Sequence, residues 1–245
     1  MPGVVFAVYY RPDLRSLAED FKRRYGAADL SCGSGFTHLF IFGGDGTLLE
    51  AIRKYPCALD LVVVHLGLGK VNFYRSAEIT LPPDDAVERI SRGEYRVLEL
   101  ATLEVGGCVA LNEVAIYRGE PGRLLSFRVR SDEGEVVGRA DGVIVSTPHG
   151  TSGYVVSTFG PVVDYRADVI VVSFVAPYTL YLRPMVLATD RIVVETAEDS
   201  VLVCDGREAR VGRVFEVARG RRRLRLAVFG DFQFLNRVAE RLRSL

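Results

Sequence analysis

The chain carries no net charge, because 31 lysines and arginines balance 31 aspartates and glutamates over 245 residues. A protein whose main partner is nucleic acid needs a basic surface to meet the phosphates, so that class of partner is disfavoured. Cysteine is scarce. Cys32, Cys57, Cys108 and Cys204 are widely spaced and form no Cys-x-x-Cys, so they are expected to be buried apolar positions rather than a metal site or a disulfide framework. No apolar span long enough to cross a bilayer and no signal peptide is present, and a cytoplasmic protein without a membrane partner is expected. Only Lys22, Lys54 and Lys70 are lysines, and Gln233 is the sole glutamine; scarce amides fit a thermophile, whereas arginine over lysine also fits a GC-rich genome. One dense basic stretch stands out: Arg219, Arg221, Arg222, Arg223 and Arg225. It reads as a solvated loop and strand face, with phosphate binding as the alternative. Internal repeats and low-complexity linkers are absent.

What is present is ordinary for a soluble protein of one large or two modest domains, with 49% hydrophobic and 25% charged residues. Up to about residue 93, strand and helix patterns alternate. Val4 to Tyr9 and Leu61 to His65 read as strands; Leu14, Leu17, Ala18, Phe21 and Tyr25 mark one face of a helix, and Pro83 to Arg92 another helix. This alternation predicts a parallel sheet covered by helices. From Tyr95 the texture changes to short β-rich runs separated by Gly106-Gly107, Glu120-Pro121-Gly122, Asp132-Glu133-Gly134 and Asp205-Gly206, as in an antiparallel β domain. Phe232 to Leu245 reads as a closing helix.

Two stretches carry chemistry. The first is Gly43-Gly44-Asp45-Gly46-Thr47, which follows the apolar run His38 to Phe42. Glycines there permit a sharp turn with positive φ and expose backbone N–H groups to an anion. Thr47 to Ile52 reads as a helix, with Thr47 as N-cap and Glu50 completing a capping box. Strand, glycine turn and helix N-terminus together suit a phosphate. Asp45 is the exception, since a carboxylate repels phosphate unless it holds a cation or a substrate hydroxyl, and it points to phosphoryl transfer. No Gly-Lys-[Ser/Thr] follows, so the loop is not a Walker A motif. A tight turn with an acidic residue favoured by the helix dipole is the plain alternative.

The second stretch runs from Arg139 through Asp141-Gly142, a strand at Val143 to Ser146, and the polar loop Thr147-Pro148-His149-Gly150-Thr151-Ser152-Gly153-Tyr154. Three hydroxyls, an imidazole and a phenol in eight residues are unusual for a purely structural loop. Gly150 is expected to be bare so that the backbone approaches a ligand. Between the two stretches, Asn112-Glu113 ends the strand-like run Cys108 to Ala110 and offers groups suited to ribose hydroxyls or a carboxamide.

In order and kind these motifs resemble the NAD kinase family. That family carries Gly-Gly-Asp-Gly-Thr, then Asn-Glu or Asn-Asp, then Asp-Gly…Ser-Thr-Pro-Thr-Gly-Ser-Thr-Ala-Tyr, a Ser and Gly-Gly-Pro. Asp141, Gly142, Ser146, Thr147, Pro148, Gly150, Tyr154, Ser157, Gly160 and Pro161 stand in register, and Ala176-Pro177, Arg183-Pro184 and Asp205-Gly206 look like later landmarks. His149 replaces the usual Thr or Ser, Gly153 the usual Ala, and Thr158-Phe159 a small Ala-Gly step. The loop Gly67 to Tyr74 resembles Asn-x-Gly-x-Leu-Gly-Phe-Leu only loosely; Asn72 in place of Gly is tolerable because Asn visits left-handed conformations. The first loop alone also resembles diacylglycerol kinases and phosphofructokinases. A lipid or sugar kinase sharing it, or a non-catalytic dinucleotide sensor, are the rival readings.

The resemblance implies an N-terminal Rossmann-like parallel-sheet domain at 1–94, a C-terminal antiparallel β-sandwich domain at 95–229, and a helix at 230–245 returning to the first domain, with substrate in the crevice between the domains. It implies Mg²⁺-dependent phosphoryl transfer from ATP or polyphosphate to the adenosine-ribose 2′-hydroxyl of NAD, giving NADP, by a homo-oligomer. Asp45 is the implied catalytic group, expected to be a weak base at a helix N-terminus. Gly43, Gly44, Gly46 and Thr47 would bind the donor phosphate. Phe73 and Tyr74 would line the adenosine end, and Asn112, Glu113, Asp141, His149, Ser152, Gly153, Tyr154 and Ser157 would hold the dinucleotide. The metal is expected to ride on the donor phosphates rather than in a protein site.

Overall fold

A computed structural model describes residues 3–69, 72–120 and 122–243. Met1, Pro2, Lys70, Val71, Pro121, Ser244 and Leu245, some of them quoted in the motifs above, lie outside the described residues. In chain order come β1 (Phe6–Tyr10), α1 (Arg15–Tyr25), β2 (Ala28–Asp29), β3 (His38–Phe42), α2 (Asp45–Lys54), β4 (Val62–His65), α3 (Pro83–Arg92) and β5 (Arg96–Leu100). Short strands follow: β6 (Leu103–Val105), β7 (Cys108–Ala110), β8 (Glu113–Arg118), β9 (Leu125–Ser131), β10 (Gly134–Ala140), β11 (Gly142–Ser146), β12 (Ile170–Val175) and β13 (Met185–Leu187). Two long strands, β14 (Arg191–Cys204) and β15 (Arg207–Arg219), precede β16 (Leu224–Val228) and α4 (Phe234–Arg243).

The chain divides into two compact units, Met1–Leu100 with Arg222–Leu245, and Ala101–Arg221. In the first, a six-stranded sheet runs β2-β1-β3-β4-β16-β5. All neighbours are parallel except β16 and β5. Every residue of β3 and β4 is buried, as expected for parallel strands covered on both faces. Helix α1 buries Ala18 and Phe21 and stops at Gly26, whose φ of 63° only glycine adopts cheaply. Phe6, Phe21, Phe40 and Phe42 share one core with Val8, Val64 and Ile90. Full burial of each such aromatic stabilises by about 1.5–3 kcal/mol.

The sheet takes in residues that the β-rich texture assigns elsewhere. β5 and β16 lie within the range 95–229, yet both are strands of the first unit's sheet, paired over five residues. A strand carries no local signature of which sheet it joins, because its partners, β4 for β16 and β16 for β5, are set by pairing across long sequence separations.

The second unit is a ten-stranded antiparallel sheet ordered β13-β12-β11-β8-β14-β15-β6-β7, with β9 on β14 and β10 on β9. Strand β14 shifts register between Glu195 and Ser200. Its first part pairs with β9 and its last part with β8, so a single strand serves two neighbours and folds the sheet over its own core. That core joins Val114, Ile116, Phe127, Val143, Phe174, Leu202 and Phe215.

The cysteine expectation is overturned. Cys32 and Cys57 form a disulfide with Cα atoms 5.8 Å apart, and Cys108 and Cys204 form another at 6.8 Å; among the described residues no cysteine is free. Of the four, only Cys204 is buried. Sequence separations of 25 and 96 residues hid the pairing, because the fold rather than the spacing brings the partners together. Loops of these lengths make each bridge worth about 3–5 kcal/mol on chain-entropy grounds. Among the described residues no helix is long and apolar enough to cross a membrane. The basic stretch is engaged in structure: Arg219 pairs with Asp168 and Asp190, and Arg222 and Arg225 donate to the carbonyls of Pro56 and Asp60.

Candidate active site

In the first unit the chain leaves β3, turns through Gly43 and Gly44, and enters α2 at Asp45. Gly44 is the N-cap, with no side chain capping it. Thr47, expected as the cap, lies inside the first turn, its amide donating to the Gly44 carbonyl at 2.9 Å. The helix starts two residues early because Asp45 and Gly46 already take helical conformation. None of Gly43, Gly44 and Gly46 has a positive φ, and at Gly43 it is space rather than conformation that requires glycine. A Cβ on Gly43 would lie 2.1 Å from Thr47 Oγ1, and one on Gly69 would lie 2.5 Å from the Cα of Gly44. Gly46 differs. It is exposed, and a Cβ there would meet nothing within 4 Å. This is the open point of the turn, beside helix N–H groups that lack intrahelical acceptors.

Asp45 is only 6% exposed. Its two carboxylate oxygens accept the backbone amides of Phe73 at 2.9 Å and Tyr74 at 3.1 Å. Burial pushes its pKa above the ordinary 3.8, against the opposing pull of His65, Arg241 and the two amides. The helix terminus alone predicts a weak base; desolvation reverses that expectation. The rings of Phe73 and Tyr74 are 2% and 0% exposed, and Phe73 packs edge-on to Tyr74, Phe232 and Phe234. What these two residues bring to Asp45 is main chain. The Asn72 side chain closes a turn, donating to the Gly69 carbonyl at 2.6 Å and accepting the Gly69 amide at 3.1 Å.

The C-terminal helix reaches this loop through groups the sequence reading passed over. Arg237 of α4 is 1% exposed. It donates to the carbonyls of Phe73 at 2.9 Å and Arg75 at 2.6 Å, and to Glu78 at 2.7 Å and 2.9 Å. Arg75 in turn pairs with Glu240 at 2.5 Å. The segment whose amides hold Asp45 is thus clamped from behind. The available signal was an arginine on the apolar side of an amphipathic helix, which pattern alone reads as snorkelling.

In the second unit, β8 and β11 pair so that Ser146 lies opposite Glu113, and the Thr147 amide donates to the Asn112 carbonyl at 3.0 Å. Asn112-Glu113 and the start of the polar loop are therefore neighbours. Asp205 fixes them: its carboxylate accepts the amides of Leu111 at 2.7 Å, Asn112 at 2.8 Å and Glu113 at 3.1 Å. Asp205 and Gly206 both have positive φ, 43° and 75°, the signature of a two-residue hairpin turn.

The loop itself forms two short 3₁₀ turns, His149–Ser152 and Tyr154–Thr158, and most of its polar groups face inward. Ser146 donates to the Asn112 carbonyl, Thr147 to Leu111, Thr151 to Pro148 and Ser152 to His149. Ser152 and His149 are fully buried. Gly150 is required by the chain itself, because a Cβ there would lie 2.1 Å from the Asn112 carbonyl oxygen. Gly153 and Tyr154 are partly exposed and Ser157 is exposed; Tyr154 faces Tyr117 across 6.5 Å. Phe159, in place of the resemblance's glycine, is left-handed at φ 58°. Asp141 does not join this group. It sits at the opposite end of β11, about 17 Å along the strand from Ser146, paired with Arg118 at 3.0 Å.

Among the described residues no group of three or more His, Cys, Asp or Glu is placed to hold a metal.

The family model for the ATP-NAD kinase C-terminal domain matches residues 111–227. An NAD kinase of Moorella thermoacetica is 32% identical over 223 residues, covering 84% of this chain and 71% of that protein. NAD kinase 2 of Streptomyces coelicolor is 32% identical over 230 residues, covering 87% and 76%. The crystal structure of an NAD kinase from Archaeoglobus fulgidus in complex with ATP superposes with a TM-score of 0.80 at 22% identity, covering 99% of this chain and all of that one. That likeness speaks for the fold: a parallel-sheet N-terminal region followed by an antiparallel, sheet-rich domain.

Proposed function

The chain belongs to the NAD kinase family and is an enzyme of that kind, and on this premise we propose that it transfers the terminal phosphoryl group of ATP to the adenosine-ribose 2′-hydroxyl of NAD. The O–H bond of that hydroxyl breaks as the new P–O bond forms, and NADP and ADP leave. ATP is the nucleotide bound by the Archaeoglobus relative, which supports it as donor over polyphosphate. A lipid or sugar kinase would share the Gly43 to Thr47 turn alone, whereas the family match spans residues 111–227.

The turn at Gly46 receives the donor phosphates. Amides at the start of α2 and the helix dipole favour negative charge there. Any divalent cation arrives on the donor, whose charge it neutralises. Asp45 orients the hydroxyl and takes its proton; the lone pairs left by its two amide bonds remain for this contact. A carboxyl with raised proton affinity is a better base than an ordinary aspartate, and two backbone amides fix its direction. From the second unit, Asn112 and Glu113, set in place by Asp205, together with Gly153, Tyr154 and Ser157, hold the dinucleotide.

The observation that carries this reading is a buried carboxylate, fixed by two amides, one residue before the exposed glycine of a helix N-terminus. Asp45→Asn is expected to lower kcat for NADP formation by about 10²–10⁴ while NAD binding, measured by calorimetry, is retained. Turnover within a few-fold of wild type would remove Asp45 from the chemistry.

A further inference from the structure

One buried titratable group stands beside Asp45 and has no part in the chemistry above. His65 closes β4 and is fully buried, with its Nδ1 4.0 Å from Asp45 Oδ1. No side chain hydrogen-bonds the ring, which lies against the main chain of Gly43, Gly44 and Tyr74. The contrast with His38 is direct: its two ring nitrogens meet Thr37 Oγ1 at 2.9 Å and the Tyr95 hydroxyl at 3.1 Å. Burying an imidazole that no side chain hydrogen-bonds is costly, and shape alone at this strand end would be filled more cheaply by an apolar residue. The main chain of His65 is already tied to Ser76, which accepts its amide at 2.9 Å and donates its own amide to the His65 carbonyl at 2.7 Å. The ring is therefore held at a fixed place facing the carboxylate.

We propose that His65 is the positioning residue of Asp45: the buried imidazole beside the carboxyl favours its ionised form electrostatically, so that a carboxylate oxygen is free to accept the ribose hydroxyl. This role rests on the NAD kinase reading of Asp45.

Several charges surround the pair. Asp45 feels His65 from β4 and Arg241 from α4, and Arg237 of α4 feels Asp45 in turn. Around His65 lie Asp45 and the main chain of Gly43, Gly44 and Tyr74. Burial lowers the imidazole pKa, and Asp45 pulls it back up. Removing the imidazole thus removes one of the influences that keep the carboxyl ionised.

Two measurements test this. In His65→Asn, which keeps a polar side chain but cannot carry a proton, the acid limb of the kcat–pH profile is expected to move up by about one to three pH units. In the same variant KM for NAD stays near wild type, since the ring is fully buried. An unmoved limb, or a loss confined to KM, overturns the role. The second measurement needs neither substrate nor the His65 variant: ¹⁵N NMR titration of the His65 imidazole in wild type and in Asp45→Asn. The ring is expected to titrate at lower pH once the carboxylate is gone; identical titration in the two proteins overturns the pairing. Because the NMR arm reads no turnover, a failure of the NAD kinase reading would appear as absent NADP formation with the coupling intact.

Discussion

The Asp45 turn and the Thr147 to Tyr154 loop are both glycine-punctuated and polar, yet they put their polar groups to different use. In the first, one carboxylate is held by main-chain amides from another segment, and that segment is clamped by a buried arginine from the last helix. In the second, hydroxyls are plentiful but donate to neighbouring carbonyls. Density of hydroxyls along the chain therefore measures how a tight loop satisfies its own backbone as much as what it offers a ligand. The residue that stands out chemically is the one whose environment works against its preferred state.

Three substitutions test that contrast. The largest effect is expected at Gly150, where any side chain would overlap the Asn112 main chain. Gly150→Val should destabilise the fold by about 3 kcal/mol or more in denaturant unfolding; a stable variant that had lost only NAD affinity would return this glycine to the ligand. Next comes Arg237→Met, which leaves the carbonyls of Phe73 and Arg75 without their buried donor. It should cost about 2–3 kcal/mol and, by loosening the amides on Asp45, lower kcat more than it raises KM. Equal loss in both parameters would mean that the clamp serves folding alone. The smallest effect is expected at Ser152, fully buried and bonded to the His149 carbonyl. Ser152→Ala should cost about 1 kcal/mol of stability with little change in KM for NAD, whereas a large rise in KM would show the hydroxyl serving the dinucleotide.

Much of the fold was legible because its signals are local. His38 to Phe42 and Pro83 to Arg92 are a strand and a helix at the boundaries the pattern predicts, since apolar runs and a proline start are read within one element. The disulfides, the return of β5 and β16 to the first sheet, and the Arg237 clamp were not legible, because each depends on residues far apart in sequence. In the candidate site, Asp45 and the neighbourhood of Asn112-Glu113 with Ser146 follow from motif order. His65 was visible only as the last residue of a buried strand, and Asp141 was assigned by motif although β11 carries it to the other end.

The central claim is that burial makes Asp45 a competent base, and the pH dependence of kcat tests it most directly. A carboxyl whose pKa is raised by burial is protonated, and inactive as a base, at pH values where an ordinary aspartate is ionised. For wild type, kcat should fall with decreasing pH along a limb whose midpoint lies above 3.8, and that limb should be absent from the residual activity of Asp45→Asn. A rate that stays flat down to the ordinary carboxylate range, or the same limb persisting in the Asn variant, would contradict the account.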